Sequence, residues 1–292
     1  MKGIILAAGK GTRLYPMTKP VCKPLLPVYD KPLIYYPVAI LMQAGISDIL
    51  IIVPPGETDT FAALLGDGSQ FGLHISYAEQ PVARGIADAL LIGSDFVGED
   101  QVCLVLGDNI FYAPTLGATL KRAVRRTEGA TVFGYWVEDP RPFGVVEFDD
   151  KGKAISIEEK PRYPKSNYIV PGLYFYDHQV MDIARNLKPS ARGELEITDL
   201  NRVYLEEGSL NVITLGRGYA WLDTGTVDSL SEATEFVRVI ETREGVQISA
   251  PEEIAYRNGW ITREKLEESA NLYGKSPYGK HLHNVATGKY IY

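Results

Sequence analysis

Apolar and polar positions alternate along the first half of the chain in a way that predicts strands separated by helices. Short apolar runs at Lys2–Ala7, Asp48–Val53 and Val102–Leu106 have the length of buried strands, and His74–Ala78 and Ala130–Trp136 are similar. Longer amphipathic segments lie between these runs, as they do in βαβ units. The pattern predicts an α/β fold with a Rossmann-like, doubly wound and mostly parallel sheet, which binds ligands at the carboxyl ends of its strands.

The helices predicted in this half have recognisable starts and ends. One begins at Asp30-Lys31-Pro32, where a capping residue stands before an early proline, and it ends at Gly45. Three more are expected near Thr58–Leu65, Ala87–Leu91 and Thr115–Thr127.

The second half predicts an antiparallel excursion over the sheet, followed by C-terminal helices. The expected strands are Val145–Phe148, Ala154–Glu158, Ile169–Tyr176 and, returning to the sheet, Leu210–Leu215. In Val227–Glu241 apolar residues recur at spacings of three and four, which predicts an amphipathic helix. We expect residues 1–229 to form one unit that carries every chemical motif. Residues 230–292 are expected to be a helical and tail region that contains Tyr273, Tyr278, Tyr290 and Tyr292.

Composition and charge narrow the classes of partner. The 292 residues carry a net charge of −7, which argues weakly against nucleic acid or an anionic membrane as the main partner. No apolar run approaches the ~20 residues that a membrane span needs. Cys22 and Cys103 lie far apart and form no CxxC pattern, so neither a disulfide framework nor a zinc site is indicated. We therefore expect a cytoplasmic protein in a reducing compartment.

A glycine-rich loop follows the first predicted strand at residues 6–14, Leu-Ala-Ala-Gly-Lys-Gly-Thr-Arg-Leu. It is not a Walker loop, because Lys10 is followed by Gly11, and it is not a dinucleotide fingerprint, because Leu14 stands where a third small residue is needed. Its glycines still let backbone N–H groups approach an anion, and Arg13 supplies charge. By itself the loop fits an ordinary turn at the end of a strand about as well as a phosphate site.

Several segments in a fixed order resemble a known signature. After the glycine-rich loop come Lys19-Pro20, Lys23-Pro24-Leu25-Leu26-Pro27, Gly107-Asp108-Asn109, Glu158-Glu159-Lys160-Pro161, Pro171-Gly172-Leu173-Tyr174 and Trp221-Leu222-Asp223-Thr224-Gly225-Thr226. Together they cover nearly the whole chain and resemble the sugar-nucleotide pyrophosphorylases, most of all the short bacterial glucose-1-phosphate thymidylyltransferases. The resemblance implies transfer of a thymidylyl group from dTTP to glucose 1-phosphate, which gives dTDP-glucose and pyrophosphate.

The resemblance assigns the positive charges that such a reaction needs, because two anions must be brought together. Arg13 and Lys23 would face the triphosphate, while Lys160 and Arg192 would hold the phosphate of the sugar. Arg13, Lys23 and Lys160 are the candidate catalytic residues, and Arg192 lies in a weaker motif. Without their motifs, such residues are far more commonly solvated surface charges.

Two groups of binding residues also follow from the resemblance. The nucleotide side would comprise Leu6, Ala7, Gly9, Gly11, Thr12, Arg13, Gln80, Pro81, Gly85, Leu106 and Asp108. The sugar-phosphate side would comprise Gly144, Glu159, Lys160, Val170, Tyr174 and Arg192. The Gln80 amide can both donate to and accept from a pyrimidine edge. Gly85 would leave room for a flat ring, and Glu159 would accept hydrogen bonds from sugar hydroxyl groups.

Two aspartates are the candidate ligands of a magnesium ion, Mg2+. Asp108 follows the apolar run Val102–Leu106, and Asp223 follows Trp221-Leu222, so both are expected at strand ends. Magnesium is usually held by one or two carboxylates together with phosphate oxygens. A strand-end aspartate is often only a turn residue, but here both lie within the family motifs.

No general base is evident among the histidines. His74, His178, His281 and His283 are scattered and lie outside every motif. A phosphate monoester has its second pKa near ~6, so the attacking oxygen is already ionised at neutral pH. Positioning and charge stabilisation can then suffice for the reaction.

Three other functions are weighed against this one. Uridylyl transfer from UTP to the same sugar phosphate stays open, because one methyl group in an apolar pocket is worth only ~1–3 kcal/mol. A catalytically silent regulatory relative would be expected to lack Lys23, Asp108, Lys160 or Asp223, and all four are present. An NAD-dependent oxidoreductase is disfavoured by Leu14 and by the second lysine motif.

The resemblance finally implies a homotetramer under allosteric control. A second site between subunits would bind an end product such as dTDP-rhamnose, the activated sugar of a cell-surface polysaccharide pathway. Tyr112, Glu253, Ile254 and Arg257 would lie there, in a looser match than that of the catalytic motifs. The alternative is that the C-terminal residues only cover apolar surface of their own subunit.

Overall fold

The α/β alternation predicted from the sequence is present in the structure, a computed structural model that describes residues 1–290. Of the C-terminal tyrosines, Tyr292 lies outside the described residues. The strands are β1 (Lys2–Leu6), β2 (Pro27–Val28), β3 (Lys31–Pro32), β4 (Asp48–Val53), β5 (His74–Glu79), β6 (Val102–Leu106), β7 (Asn109–Tyr112), β8 (Ala130–Trp136), β9 (Gly144–Phe148), β10 (Ala154–Glu159), β11 (Tyr168–Ile169), β12 (Leu173–Tyr176), β13 (Leu210–Leu215) and β14 (Ala220–Asp223). The helices are α1 (Tyr35–Gln43), α2 (Thr58–Leu65), α3 (Asp88–Ile92), α4 (Ser94–Val97), α5 (Leu116–Val124), α6 (Val180–Asn186), α7 (Ile197–Glu206), α8 (Val227–Glu244), α9 (Pro251–Arg257), α10 (Arg263–Tyr273) and α11 (Pro277–Ala286).

One mixed sheet of ten strands organises the molecule. Its order is β10-β9-β11-β8-β12-β6-β1-β4-β5, and β13 pairs with β8 outside this path. Strands β1, β4, β5, β6, β8, β9 and β13 run in one direction, whereas β10, β11 and β12 run in the other. The predicted α/β class is confirmed, and the sheet is mixed because β12 lies antiparallel between β6 and β8.

The order of the parallel strands places a crevice beside β1. The chain passes from β1 through β4 to β5 on one side, and then crosses to β6 on the other side of β1. Loops that leave the carboxyl ends of β1 and β6 therefore diverge, and this is where open α/β sheets bind ligands. The glycine-rich loop follows β1, and Asp108 follows β6.

Two predicted elements differ from the structure. The helix expected from Asp30 begins only at Tyr35, because Lys31–Pro32 pairs with Pro27–Val28 in a small hairpin. The strand expected over Ile169–Tyr176 is split into β11 and β12. At the break, Gly172 packs so closely on β6 that a Cβ would lie 2.4 Å from the Leu106 side chain.

Hydrophobic cores cover both faces of the sheet. Along β1, Ile5 belongs to one buried cluster and its neighbour Ile4 to another, as expected when successive side chains of a strand point to opposite faces. The Ile5 cluster also receives side chains from α1 and α9–α11, while the Ile4 cluster receives them from α3, α6 and α7. Helix α8 starts with a capping box between Thr226 and Ser229 and continues across residue 230. Among residues 1–290, no helix has both the length and the apolar character that crossing a membrane requires.

Candidate active site

The glycine-rich loop is held against the segment that carries Lys23. Gly11 has a φ of +60°, and a Cβ there would lie only 3.0 Å from the Lys23 Cβ. Glycine is therefore required both for backbone conformation and for space. The Thr18 hydroxyl donates to the Gly11 carbonyl oxygen at 2.6 Å, which fixes the loop from the other side. The 3-10 helix Thr12–Leu14 follows and carries Arg13 into the wall of a large cavity.

The buried Lys23 forms an ion pair with Asp108, whose side chain is partly exposed. Lys23 is only 6% exposed, and its Nζ lies 2.6 Å from Asp108 Oδ2. The other carboxylate oxygen of Asp108 accepts a hydrogen bond of 2.8 Å from Asn109 Nδ2. The lysine and the aspartate are far apart in the sequence, yet the loop after β1 and the end of β6 bring them together.

A two-stranded ribbon brings Asp223 to the same place. Strand β7 directly follows Asp108 and pairs with β14, in a register that sets Asp223 opposite Asn109. Burial raises the pKa of Asp223, and the Asp108 carboxylate raises it further, whereas Lys23 and Arg13 lower it. Two carboxylates that repel each other at the edge of a cavity suit a divalent cation whose other ligands are phosphate oxygens and water. The residues present therefore fit magnesium.

A cavity of about 570 Å³ lies between these motifs and the antiparallel part of the sheet. Of the predicted residues it is lined by Arg13, Leu106, Asp108, Gly144, Glu159, Lys160, Val170, Tyr174 and Asp223. Gly144 leaves space beside Glu159, since a Cβ would lie 2.8 Å from Thr198 Oγ1 and 3.4 Å from Glu159 Oε2. Burial, followed by the charges of Glu159 and Asp108, raises the pKa of Tyr174.

Lys160 stands in an unusual backbone conformation between the two ligand regions. Its φ is +44°, a value in the left-handed region that side chains other than glycine rarely adopt. Its N–H donates to the Phe143 carbonyl oxygen at 3.0 Å, and its Nζ lies 3.5 Å from Glu159 Oε1. Such strain persists where surrounding structure enforces it, and it is common at functional sites.

A smaller cavity of about 220 Å³ adjoins the large one. Its wall includes the predicted residues Leu6, Gly9, Gln80, Gly85, Glu159, Lys160 and Arg192. Glu159 and Lys160 line both cavities, together with Ile86 and Ile197, so the two spaces meet at these side chains. Two ligands that occupied the two cavities would therefore meet near Lys160.

The structure shows what surrounds several other residues that were predicted to bind the nucleotide. Gly85 is needed because the backbone of Leu195 crosses it: with a φ of +103°, its Cβ would lie 2.4 Å from the Leu195 carbonyl oxygen. Ala7 is buried, and Gly107 packs on it. Thr12, Pro81 and Gly11 are not among the residues that define the two cavities within the described chain.

Arg192 is enclosed by carboxylates. Its guanidinium lies 2.8 Å from Glu196 and 3.4 Å from both Glu159 and Glu194. A sugar phosphate at this arginine would therefore compete with these carboxylates for its guanidinium or share it with them.

Helix α7 adds side chains that the sequence interpretation did not include. Thr198 and Asn201 line the large cavity, as do Phe143, Asn109 and Trp221 from other elements. Asn201 is fully buried and accepts a hydrogen bond from the Tyr176 hydroxyl at 2.7 Å, while its Nδ2 has no partner within residues 1–290. Trp221 donates to Asn109 Oδ1 at 2.6 Å. The spacing of Ile197, Leu200 and Tyr204 is a helical signal that could have revealed this wall.

The histidines lie away from both cavities, as far as residues 1–290 define them. The exposed His74 pairs with Asp48 at 3.2 Å, and the buried His281 pairs with Glu253 at 2.6 Å.

Of the predicted regulatory residues, Glu253, Ile254 and Arg257 lie together on α9, whereas Tyr112 ends β7. Tyr112 at the end of β7 donates to Glu244 at 2.6 Å, and Arg257 of α9 lies 2.7 Å from Glu253.

Comparisons with known proteins agree with this geometry. The model of the nucleotidyl transferase family matches residues 2–239. A glucose-1-phosphate thymidylyltransferase of Neisseria meningitidis is 60% identical over 282 residues, which are 97% of this chain and 98% of that protein. One from Xanthomonas campestris is 61% identical over 285 residues, 98% of this chain and 97% of that one.

Solved structures give the same result. A Bacillus anthracis crystal structure, provisionally named a glucose-1-phosphate thymidylyltransferase, has a TM-score of 0.76 and 45% identity, and the match covers 82% of this chain and 95% of that one. A UDP-glucose pyrophosphorylase complexed with UDP-glucose has a TM-score of 0.71 over 83% of this chain and 99% of its own, at 24% identity, which shows a shared fold. The sequence signature, the site and these matches together confirm that the chain belongs to the nucleotidyl transferase family.

Proposed function

We propose that the protein transfers a thymidylyl group from dTTP to glucose 1-phosphate and releases pyrophosphate. The curated relatives that are about 60% identical over nearly the whole chain carry this activity in their names. The observation that supports it most directly is the junction of the two cavities at Glu159 and Lys160. The base of dTTP would occupy the smaller cavity and glucose the larger one, so that the two phosphate groups meet between them.

The residues at the junction suit an in-line attack of the sugar phosphate on the α-phosphorus. Arg13 and Lys23 hold the triphosphate on one side, while Lys160 and Arg192 hold the attacking phosphate on the other. Charge must be balanced before two anions can approach, and preorganised cations do this without reorganisation during the reaction. Because the phosphate oxygen is already ionised at neutral pH, this chain supplies positioning and charge rather than a base.

Asp108 and Asp223 are proposed as the ligands of magnesium, which when bound would offset the negative charge of the phosphates. The remaining nucleotide contacts are proposed for Leu6, Ala7, Gly9, Gly11, Thr12, Gln80, Pro81, Gly85 and Leu106. The remaining sugar contacts are proposed for Gly144, Glu159, Val170 and Tyr174.

Pyrophosphate release measured with a panel of nucleotides and sugar phosphates tests this function. We expect the highest kcat/KM for dTTP with glucose 1-phosphate and little turnover for the Asp108→Asn variant. UTP is the second candidate donor, because uracil has the same hydrogen-bonding edge as thymine. If no pair of substrates released pyrophosphate, the proposed activity would be wrong.

We further propose a cytoplasmic homotetramer, with residues 230–292 packing on the catalytic part or at a subunit contact. Both cysteines are free thiols, as expected of a reducing compartment. An end product such as dTDP-rhamnose would bind near Tyr112, Glu253, Ile254 and Arg257 and inhibit the enzyme. Light scattering and inhibition kinetics test the assembly and the regulation separately.

A further inference from the structure

The carboxylate of Asp88 lies behind the residue that is proposed to contact the base. Asp88 begins α3, is 1% exposed and is not used by the proposed mechanism. Each of its oxygens accepts one side-chain hydrogen bond, Oδ2 from Gln80 Nε2 at 2.9 Å and Oδ1 from the Arg84 guanidinium at 2.8 Å. As the described residues define the two cavities, Asp88 lines neither of them, so it can affect a ligand only through its neighbours.

This carboxylate fixes the direction in which the Gln80 amide faces. A carboxylate paired with a guanidinium only accepts hydrogen bonds, whereas an amide donates at its nitrogen and accepts at its oxygen. If the amide were flipped, the oxygen of Gln80 would face an oxygen of Asp88 with no hydrogen between them. Gln80 is only 7% exposed, so water cannot readily take the place of the lost bond.

The locked amide presents a defined pair of groups to the smaller cavity, whose wall includes Gln80. No group within residues 1–290 donates a hydrogen bond to its Oε1. This oxygen is not among the polar atoms that are both fully enclosed and without a partner, so it is still accessible. One acceptor and the second N–H of Nε2 thus remain for a ligand. They complement the N3–H donor and an adjacent carbonyl acceptor of thymine or uracil. Cytosine in the same position offers an acceptor at N3 and a donor at its amino group, the reverse pattern.

We propose that Asp88 is a positioning residue that locks the Gln80 amide in the orientation that accepts thymine or uracil and rejects cytosine. The inference rests on the proposed function, since it requires the base to occupy the smaller cavity. It does not separate dTTP from UTP, because their bases share this edge.

The Asp88→Asn substitution tests the lock. Asparagine keeps the size of the side chain, but when its oxygen accepts from the Arg84 guanidinium its NH₂ faces Gln80. The flipped direction of the Gln80 amide, with its oxygen toward residue 88, then becomes satisfied. The ratio of kcat/KM for dTTP to that for dCTP, both with glucose 1-phosphate, should fall by about tenfold or more. The dissociation constant for dCTP divided by that for dTTP, measured by calorimetry, should fall in parallel. A purely structural role would weaken both nucleotides together and leave the ratio unchanged.

Arg84→Lys is the matched control. It changes the other partner of Asp88 at an exposed side chain but keeps a cation there, so the carboxylate stays compensated and still faces Gln80. The dTTP to dCTP ratio should therefore stay at the value of the unchanged protein.

Two results would overturn the proposal. One is an unchanged ratio in a folded Asp88→Asn variant. The other is equal use of dCTP and dTTP by the unchanged protein, which needs no variant and decides the matter even if the substitution prevents folding. Failure of the proposed function looks different, because the unchanged protein would then release no pyrophosphate from dTTP and glucose 1-phosphate.

Discussion

The Asp223→Asn substitution should stabilise the metal-free protein while it removes most of the activity. Burial raises the pKa of this carboxyl above its ordinary value, and the charge of Asp108 raises it further, although Lys23 and Arg13 partly oppose the shift. A raised carboxyl pKa means that the folded state disfavours the ionised form. Asparagine has a similar shape and carries no charge, and its side-chain oxygen can still accept from the Gly225 backbone.

The sign of the effect depends on pH. Below the ordinary pKa of an aspartate, both the folded and the unfolded chain carry the proton, and the group contributes nothing. Between the ordinary and the raised pKa, the unfolded chain ionises first, so the stability of the folded protein falls as the pH rises. Above the raised pKa of Asp223, the full cost is present, and this is the cost that the substitution removes.

The expected gain in the free energy of unfolding above this pH window is on the order of 1 kcal/mol, because nearby cations offset part of the burial cost. For a chain of this size, that is a rise in melting temperature of about 2–4 °C. Turnover should fall by about 10²–10³-fold, the usual cost of losing one preorganised group that stabilises charge.

Thermal melting of the purified proteins measures the first effect, and pyrophosphate release measures the second. In EDTA at neutral pH, Asp223→Asn should melt above the unchanged protein. With magnesium and dTTP, the unchanged protein should gain more stability than the variant, because ligands stabilise the state that binds them. Asp139→Asn is the control. Asp139 is exposed, and hydrogen bonding from Arg141 lowers its pKa, so this substitution should neither raise the melting temperature nor greatly reduce the turnover. A melting temperature in EDTA that failed to rise for Asp223→Asn would refute the burial argument, and near-normal turnover would refute the ligand assignment.

Four further predictions concern two substitutions of Lys160, the pH dependence of the rate and the proposed regulatory site. Lys160→Ala should raise the KM for glucose 1-phosphate far more than that for dTTP in steady-state kinetics, and equal effects would contradict its place on the sugar side. Lys160→Gly should be at least as stable as Lys160→Ala, since the φ of +44° favours glycine. The rate should rise as the sugar phosphate ionises near pH ~6 and then stay flat, and an inflection that disappeared on mutating a histidine would show that a base had been missed. Arg257→Ala, which breaks the 2.7 Å pair with Glu253, should weaken inhibition by a dTDP-deoxysugar and leave uninhibited turnover nearly intact; unchanged inhibition kinetics would defeat the proposed regulatory site.

Local patterns predicted the strands of the sheet well, because buried parallel strands are short, continuous apolar runs. Asp48–Val53, Val102–Leu106, Ala130–Trp136 and Leu210–Leu215 have the same bounds in the sequence interpretation and in the structure. The position of Asp108 at a strand end followed from the same pattern. Where a strand is a continuous apolar run, its bounds follow from neighbouring residues, and this is why the sequence could indicate them.

Contacts between distant segments could not be read from such patterns. Gly85 lies in the wall of the smaller cavity, but no local pattern indicated that the Leu195 backbone, more than a hundred residues away, would pack against it. The neighbours of Asp223 depend on the register of β7 with β14, and this register is set by tertiary packing. The family signature predicted which residues would form the site, and only the structure indicates what each of them contacts.

The cations proposed to hold the phosphates are paired with carboxylates in the free protein. Lys23 lies 2.6 Å from Asp108, Lys160 lies 3.5 Å from Glu159, and Arg192 is surrounded by glutamates. A phosphate group that bound one of these cations would compete with its carboxylate partner, and a carboxylate left unpaired would carry a charge that is costly where it is buried. For Lys23 this cost falls on Asp108, the same carboxylate that is proposed to hold magnesium. Magnesium would compensate the carboxylate that a phosphate displaces from Lys23, and the phosphate would compensate the lysine that magnesium displaces from Asp108. We therefore expect dTTP to bind as its magnesium complex and much more weakly without the metal.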